Sequence, residues 1–255
     1  LSVFQDETIL FEETIRHDEE EIIKASTMGA QLDLRKKCIQ EYLKNAGLSL
    51  DGIDAAVIRT TIYICFQSGT YLVNDVIRAD INKYFDRDRK LNHAGNVTLP
   101  LLDELLAGRD IPIYLVDPIS VDEFEDVARI SGHPLVRRIS LFHALNHKAV
   151  ARKASAELGK KYEEARLVVA HMGGGVSIGA HKYGRVVDNA GGQGTEGPFC
   201  SNRCGSVLVN DVIDLCYSGQ YSRQEMDYLL LKKGGFVGYL GIGDMLSIQK
   251  RVEDG

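Results

Sequence analysis

The stretch that decides the fold is residues 167–188, LVVAHMGGGVSIGAHKYGRVVD. Residues 167–170 form the short, uninterrupted apolar run that is typical of a strand buried on both faces, and His171 ends that run. Residues 173–175 are all glycine, so the backbone there can take positive φ and a ligand can approach main-chain N–H groups. Residues 176–188 alternate with a period of two around a tight turn, which indicates two further strands. The pattern predicts a strand, a glycine turn and a hairpin, with one imidazole at the turn.

The spacing of these glycines excludes two common glycine-rich motifs. A P-loop needs Gly-Lys-Ser/Thr at the start of a helix, and a dinucleotide fingerprint needs GxGxxG between a strand and a helix. Here the residues that follow Gly175 alternate like a strand. An ordinary tight turn without a ligand stays open as the alternative.

Beyond this turn, the chain resembles the butyrate kinases, which belong to the acetate kinase family within the actin-like superfamily. The hairpin HMGGGVS at residues 171–177, with GAH and GRVVD after it, resembles the phosphate-binding hairpin of that family. Further similar segments follow the same order along the chain: SGTY at 68–71, VDP at 116–118, FHALN at 142–146, EGPF at 196–199 and GGF at 234–236. The resemblance covers nearly the whole chain.

This resemblance implies an α/β protein of two actin-like (ribonuclease H-like) domains, each with a mixed sheet, and with a cleft between the domains. We place the boundary after residue 134, which gives an N-terminal domain at 1–134 and a C-terminal domain at 135–255. The family carries a strand and a phosphate loop before the segment that resembles residues 1–4, and an adenosine-binding segment after the one that resembles Gly241. We therefore expect the sequence to be a fragment of a longer protein.

The resemblance also implies the activity and its cofactors. The expected reaction is reversible transfer of the γ-phosphoryl group of ATP to a short-chain carboxylate, butyrate or a branched analogue, with Mg²⁺ present. A homodimer or a higher homo-oligomer is a further family expectation. A non-catalytic nucleotide-binding or scaffolding member of the superfamily is the alternative, because the loops around Arg59 and at 189–194 depart from the family pattern.

The site residues that the resemblance implies fall into three groups. The catalytic group consists of His171, Arg59, Arg203, Asp117 and His93. The nucleotide phosphates would be bound by Gly173, Gly174, Gly175 and Ser177. The metal ion would be positioned by Asp117 or Glu196.

The residue types suit these roles, although each has a structural alternative. The planar, permanently charged fork of an arginine matches carboxylate and phosphoryl oxygens, but Arg59 could equally be a solvated residue at a strand end. An acid at the carboxyl end of a parallel strand faces the ligand crevice of an open sheet, but Asp117 could also be a turn residue before a proline. For the catalytic histidine at residue 93, two alternatives remain: the neighbouring Asn92 is the site residue, or His93 is an ordinary surface residue.

Composition narrows the class of protein. The formal net charge of −6 argues against a nucleic-acid or anionic-membrane partner that is bound by electrostatic attraction. No apolar run approaches the ~20 residues that span a bilayer, and no signal-like segment opens the sequence, so we expect a cytoplasmic protein. The five cysteines are an odd number, which favours reduced thiols over a disulfide framework.

Periodicity predicts the remaining elements. A hairpin is expected at 1–12, a helix through Leu34, Cys38 and Tyr42, and strands at 53–58 and 111–116. Helices are expected at 99–106, 145–158, 207–215 and 223–231. Two capping boxes, Ser120-x-x-Glu123 and Ser222-x-x-Glu225, predict helix starts.

Overall fold

The computed structural model describes residues 1–15, 17, 19–60, 64–88, 94–191 and 196–255. These residues form two compact units. The first consists of Leu1–Ile64 and Gly69–Pro118, and the second of Cys65–Ser68 and Ile119–Gly255. Within the described ranges, no helix is long and apolar enough to cross a membrane.

The first unit contains five strands and four helices in its described part. They are β1 (Ser2–Gln5), β2 (Thr8–Glu12), α1 (Glu19–Lys24), α2 (Met28–Asn45), β3 (Ala56–Ile58), β4 (Thr70–Leu72), α3 (Asp75–Asn82), α4 (Thr98–Leu105) and β5 (Ile113–Val116). Strands β1 and β2 form the expected hairpin. The main sheet has the order β3-β5-β4, parallel between β3 and β5 and antiparallel between β4 and β5, so the prediction of a mixed sheet is confirmed here.

The core of the first unit lies between its sheet and its helices. Helix α2 begins at the N-cap Thr27, whose hydroxyl accepts a hydrogen bond from the main-chain N–H of Ala30. Its buried face, which includes Leu32, packs against α4. Leu115 of the central strand β5 is fully buried. This burial fixes the end of β5, and with it the position of Asp117.

The division between the units falls at Pro118/Ile119, sixteen residues before the boundary that we expected after residue 134. The reason is that the chain after Pro118 bonds to later segments. The main-chain N–H of Phe142 donates to the carbonyl of Ile119 at 3.2 Å, and the hydroxyl of Ser140 donates to the carbonyl of Val121 at 2.6 Å. Val121 is also part of a buried cluster with Phe142 and Val186.

The second unit is built on a three-stranded sheet with one long helix beside it. Its elements are α5 (Ala144–Glu157), β6 (Arg166–Met172), β7 (Val176–Lys182), β8 (Arg185–Gly191), α6 (Val209–Tyr217), α7 (Arg223–Lys232), α8 (Gly235–Leu240) and α9 (Met245–Glu253). The sheet order is β6-β7-β8, and both pairs are antiparallel because tight turns join consecutive strands. The mixed sheet expected in this half is therefore antiparallel over the described residues.

The outward-facing residues of β6 are exposed. Val168 and Met172 of β6 are 77% and 80% exposed, so the prediction of a strand buried on both faces was wrong for β6. On β7, the buried residues are Ser177, Gly179 and His181, whereas Ile178 is exposed. The polar half of the alternating pattern thus faces α5, and this face carries the candidate site.

The two predicted capping boxes had different outcomes. Ser222 and Glu225 form the reciprocal bonds that start α7, as predicted. The prediction at Ser120 and Glu123 was wrong, because no α-helix starts there. The carboxylate of Glu123 instead accepts hydrogen bonds from the buried ammonium of Lys148 at 2.6 Å and from the main-chain N–H of Val186 at 2.8 Å. A buried cation needs such a partner, and this requirement overrides the local capping signal.

Candidate active site at the glycine turn of the second unit

The candidate site is built on the turn between β6 and β7. Met172 pairs with Val176 across the two strands, and the N–H of Gly173 donates to the carbonyl of Gly175 at 3.1 Å, which closes the turn. His171 lies opposite Ser177 in the antiparallel register. Directly opposed residues share one face of a sheet, so both side chains lie on the face that α5 covers.

His171 is oriented by a side chain from α5. The amide nitrogen of Asn146 lies 2.9 Å from Nδ1 of His171. An amide nitrogen can only donate, so Nδ1 accepts and the ring proton of neutral His171 sits on Nε2. This Nε2 lies at the turn, because a Cβ built on Gly173 would be 3.1 Å from it. The histidine predicted from the sequence thus presents an N–H donor beside the first glycine.

Arg203 reaches the same turn from a distant part of the chain. A Cβ built on Gly175 would lie 2.7 Å from one terminal nitrogen of the Arg203 guanidinium, closer than real Cβ contacts. The absence of a side chain at residue 175 is what lets the guanidinium approach. The sequence predicted both Arg203 and the glycines as site residues, and the structure brings them together.

The loop that carries Arg203 is held by α8 and the segment after it. The N–H of Cys200 donates to the carbonyl of Arg203 at 3.1 Å, and the N–H of Phe236 donates to the carbonyl of Cys200 at 3.1 Å. The hydroxyl of Ser201 donates to the carbonyl of Gly243 at 2.6 Å. After Arg203, the N–H of Cys204 donates to the carbonyl of Leu230 at 2.9 Å, so the loop is restrained on both sides and the guanidinium is placed by the fold and not by its own side chain alone.

A third group at the turn, His143, comes from the N-terminus of α5. Its ring stacks on that of His171 with the centroids 3.8 Å apart, and its Nδ1 lies 2.8 Å from the hydroxyl of Ser177. A Cβ on Gly175 would be 3.3 Å from Nε2 of His143. His143 is the N-cap residue of α5, so the positive end of this helix dipole lies at the same place. Two imidazoles, a guanidinium and a helix N-terminus together favour an anion at this turn.

Sequence reasoning missed His143 and Asn146 as site residues. A partial signal was available: Asn146 and His147 fall in the helix predicted at 145–158, and His143 comes just before it, four residues from His147. That signal does not show that the face meets the glycine turn. The contact depends on the packing of α5 on the sheet, which periodicity alone does not reveal.

Two of the other predicted residues lie in the first unit. Asp117 is buried directly after β5, its carboxylate accepts a hydrogen bond from the N–H of Gly69 at 2.9 Å, and its φ of 37° is in the left-handed region. A non-glycine residue in that region stores strain, and such strain tends to occur at functional sites. Arg59 is exposed after β3. His93 lies outside the described residues, so its predicted role stays a prediction.

Glu196, the other predicted metal-binding acid, has a cationic partner. The Nε of Arg138 donates to its carboxylate at 2.7 Å, and the same guanidinium forms an ion pair with Asp188 at 2.9 Å. A guanidinium on this carboxylate competes with a metal ion. Within the ranges described above, no group of three or more His, Cys, Asp or Glu side chains could hold a metal. Asp117 fits Mg²⁺ better, since this ion commonly uses one or two carboxylates together with water and substrate phosphates.

Behind the turn lie two buried imidazoles, His147 and His181, whose titration should be visible in stability. Burial lowers the pKa of each ring to about 4, assisted by His147 and Lys148 near His181 and by His171 near His147. Both rings are therefore neutral in the folded protein at neutral pH. The usual pKa of an unfolded histidine is ~6.5, so between these values the unfolded chain binds more protons than the folded one.

We therefore expect the free energy of unfolding to keep its full value above the pKa of histidine in the unfolded chain, and to fall as the pH decreases from there toward 4. The loss is up to about 1.4 kcal/mol per pH unit for each imidazole. Urea unfolding at about pH 7 and about pH 5 measures it. In the variant His181→Gln, the free energy of unfolding should depend less on pH than in the wild type. In the exposed control His133→Gln, it should depend on pH as in the wild type. Equal pH dependence in His181→Gln and the wild type would contradict the assignment of a neutral buried ring.

Comparison with solved structures places the fold in the actin-like α/β class of two-domain proteins. The chain superposes on an acetate kinase from Porphyromonas gingivalis with a TM-score of 0.70 and 23% identity, covering 87% of this chain and 58% of that one. A propionate kinase from Francisella tularensis subsp. tularensis gives a TM-score of 0.72 at 20% identity, with 88% and 59% covered. An acetate kinase from Entamoeba histolytica gives 0.64 at 18% identity, with 88% and 58% covered. The chain thus spans less than three fifths of the length of these proteins.

A family model gives the more specific result. Residues 129–255 match the model described as the Acetokinase family. The matched stretch contains His143, His171, the three glycines of the turn and Arg203, so all groups that converge at the turn lie inside it. The match agrees with the family resemblance drawn from the sequence motifs.

Proposed function

We propose that the intact protein transfers the γ-phosphoryl group of ATP to a short-chain carboxylate, butyrate or a branched analogue, and that the transfer is reversible. The observation that carries this proposal is the convergence of His171, His143 and Arg203 on the glycine turn. Imidazole N–H donors and a guanidinium that converge in this way can bind the oxygens of a phosphoryl group. The family match over the same residues supports the reaction class, and the butyrate kinase-like motifs support the choice of carboxylate.

The main barrier to this reaction is electrostatic. A carboxylate is already deprotonated at neutral pH, because such acids titrate near ~4, so no general base is required. An anion must instead approach a polyanion through a loose, roughly in-line transition state. Fixed donors that stabilise charge on the equatorial phosphoryl oxygens are therefore the expected source of catalysis.

Each group at the turn has a role in this scheme. The guanidinium of Arg203 binds phosphoryl or carboxylate oxygens, and the Nε2–H of His171 donates to the transferring group. The main chain of Gly173, Gly174 and Gly175 faces the nucleotide phosphates. Ser177, which we expected beside them, is fully buried with its hydroxyl bonded to His143 and His147, so we assign it to supporting the turn from behind. The stacked ring of His143 holds His171 in place and offers a second Nε2 at the turn.

The remaining roles belong to residues of the first unit. We assign Arg59 to the substrate carboxylate and Asp117 to Mg²⁺, with His93 as a further catalytic residue. When bound, Mg²⁺ neutralises charge on the phosphate oxygens. The pairing of Glu196 with Arg138 makes this residue the weaker choice for the metal, and we assign it to holding the loop before Arg203. A homodimer or higher homo-oligomer and a cytoplasmic location complete the proposal.

Gly175 allows a direct test of the geometry at the turn. The variant Gly175→Ala is expected to lower kcat/KM by about 10- to 10²-fold, because the new Cβ must displace the guanidinium of Arg203 and the ring of His143. The backbone at residue 175 does not have the positive φ that would strain an alanine, so the thermal unfolding midpoint should change little. Gly132→Ala, which faces open space, serves as the matched control and should keep wild-type kinetics.

If Gly175→Ala retained full activity, the close approach of Arg203 to the turn would have no role in the reaction. A large loss of thermal stability in the same variant would instead attribute any loss of activity to folding. Steady-state kinetics and a melting curve on both alanine variants separate these cases.

The proposed reaction is tested by trapping the acyl phosphate with hydroxylamine as the hydroxamate. The protein extended through its reading frame and the present chain are each supplied with ATP, Mg²⁺ and one of acetate, propionate, butyrate or isobutyrate. We expect product from the extended protein, with butyrate or isobutyrate giving the highest kcat/KM. No product with any carboxylate, together with measurable ATP binding, would favour the non-catalytic nucleotide-binding alternative.

A further inference from the structure

A continuous row of hydrogen-bonding groups runs from the candidate site into the interior of the second unit. The hydroxyl of Ser177 lies 2.8 Å from Nδ1 of His143 and 2.9 Å from Nε2 of His147. Nδ1 of His147 then lies 3.4 Å from Nε2 of His181, and the planes of these two rings are inclined to each other by only 7°. The phenolic oxygen of Tyr162 lies 2.7 Å from Nδ1 of His181 and ends the row.

The inner part of this row is shielded from water. His147 and Ser177 are 0% exposed, His181 is 2% exposed and Tyr162 is 5% exposed. Buried polar atoms must find partners within the protein, and each side chain of this row has one in its neighbour along the row. His147 and His181 are neutral at neutral pH, so each of these rings donates through one nitrogen and accepts through the other.

Such a row has only two self-consistent proton arrangements, and they differ in direction. A phenol is a better donor than acceptor, because its oxygen lone pair is delocalised into the ring, and a neutral imidazole nitrogen is a good acceptor. Tyr162 therefore donates to Nδ1 of His181, which donates through Nε2 to Nδ1 of His147. His147 then donates through Nε2 to Ser177, which places the Ser177 hydroxyl proton on the bond to Nδ1 of His143.

The hydroxyl of Ser177 fits this arrangement. It accepts from Nε2 of His147 and, at 3.4 Å, from the main-chain N–H of His143, and it donates once to Nδ1 of His143. Two acceptor sites and one donor are the full capacity of a hydroxyl group. The ring proton of His143 must then sit on Nε2, the nitrogen nearest to Gly175.

We infer that Tyr162 and His181 are positioning residues, which act through His147 and Ser177 to hold His143 with its ring proton on Nε2 at the glycine turn. The value of this tautomer rests on the proposed function. A donor at Nε2 attracts a phosphoryl oxygen, whereas the other tautomer would direct a lone pair at the anion. The dependence of a catalytic imidazole on a fixed tautomer is known from serine proteases, where loss of the orienting group is costly.

Charged neighbours keep the row neutral. The ammonium of Lys148 lies 5.7 Å from the centroid of the Tyr162 ring, and the guanidinium of Arg152 lies 5.9 Å from it. Lys148 disfavours a proton on His181, as its contribution to the lowered pKa of that ring indicates. A second proton on either buried ring would turn its accepting nitrogen into a donor and break the row, so these cations help to keep the row intact. The direction of the row follows from the phenol of Tyr162.

The test reads the tautomer directly, by nitrogen-15 NMR of histidine-labelled protein with the His143 signals assigned from the variant His143→Gln. In the wild type, we expect the two ring nitrogens of His143 to show the separate shifts of an Nε2–H tautomer. In Tyr162→Phe, the difference between the nitrogen-15 shifts of the two ring nitrogens should become smaller in His143 as well as in His181. Within this row, Tyr162 bonds only to His181. Tyr183→Phe makes the same chemical change at an exposed hydroxyl bonded to Arg166, and should leave all three rings of the row unchanged.

A second variant distinguishes an effect that is carried through the hydrogen bonds of the row from an effect of the Tyr162 substitution on its immediate surroundings. A Cβ built on Gly179 would lie 2.8 Å from Nδ1 of His147 and 3.3 Å from Nε2 of His181, and residue 179 lacks the positive φ that would strain an alanine. Gly179→Ala should therefore interrupt the row at its middle, so that the His143 shifts change while His181 stays bonded to Tyr162. Wild-type His143 shifts in both Tyr162→Phe and Gly179→Ala, or an Nδ1–H tautomer in the wild type, would overturn the inference.

Kinetics of the intact protein add a functional readout. In Tyr162→Phe, we expect kcat to fall by roughly tenfold with the KM for ATP unchanged, since the phenol touches neither substrate. A wild-type protein without kinase activity would sink the proposed function but leave the NMR result to decide on the row. If Tyr162→Phe had a wild-type kcat together with altered His143 shifts, the tautomer of His143 would have no effect on catalysis.

Discussion

Replacement of His171 by alanine is expected to lower kcat by about 10²-fold or more, with little change in the affinity for ATP. The Nε2–H of His171 faces the turn, and we assign it to charge that develops on the transferring phosphoryl group. An interaction made mainly in the transition state affects kcat and kcat/KM together. Initial rates of hydroxamate formation and ATP binding by calorimetry measure the two quantities on the same sample.

His133→Ala is the matched control for this variant. His133 is an exposed histidine of the second unit, and its Nδ1 accepts a local hydrogen bond from the N–H of Leu135. We expect wild-type turnover from it. Wild-type turnover in His171→Ala would remove this histidine from the reaction, and a parallel loss of ATP affinity would reassign it to substrate binding.

Replacement of Gly191 by alanine is expected to destabilise the second unit by more than about 3 kcal/mol. Gly191 ends β8 with a φ of 91°, a conformation that side chains rarely adopt. A Cβ there would also meet the carbonyl oxygen of Val176 closer than any real Cβ contact, and would lie 3.1 Å from Cα of Ser177. The clash is with backbone, so no flexible side chain can relieve it. Urea unfolding followed by circular dichroism measures the loss.

Gly159→Ala separates backbone strain from the clash. Gly159 has a similar positive φ of 68°, but nothing lies within 4 Å of its Cβ position. This control should cost only about 1 kcal/mol, the usual penalty of the left-handed conformation. Equal losses in the two variants would show that the approach of Gly191 to β7 contributes nothing to stability.

Much of the fold could be predicted from the sequence because its signals are local. The hairpin of β1 and β2, the helices α2, α4, α5 and α7, and the strands on either side of the glycine turn all follow from periodicity, capping and glycine placement. The capping box of Ser222 and Glu225 is a good example, since both partners lie within one turn of α7.

The features that sequence reasoning missed depend on long-range packing. The residues of β7 alternate in polarity, but nothing local indicates that Ser177 and His181 form the buried face. Glu123 carries a capping signal, yet Lys148, 25 residues later, uses its carboxylate. The segment after Pro118 likewise bonds to residues near Ser140, and no local signal indicates these contacts.

The candidate site divides in a similar way. His171 and the glycines are visible as a pattern, because strand, turn and chemistry lie within a few residues. Arg203 has no local signature and was found only through the family resemblance. His143 and Asn146 were missed, since their place at the turn follows from how α5 packs on the sheet.

We propose that the turn with His171, His143 and Arg203 binds the transferring phosphoryl group. The most direct measurement is a crystal structure of the protein extended through its reading frame, bound to ADP, Mg²⁺, aluminium fluoride and butyrate. We expect the planar fluoride within hydrogen-bond distance of Nε2 of His171 and of the Arg203 guanidinium, over the glycine turn. A fluoride bound elsewhere, with the turn empty, would contradict it.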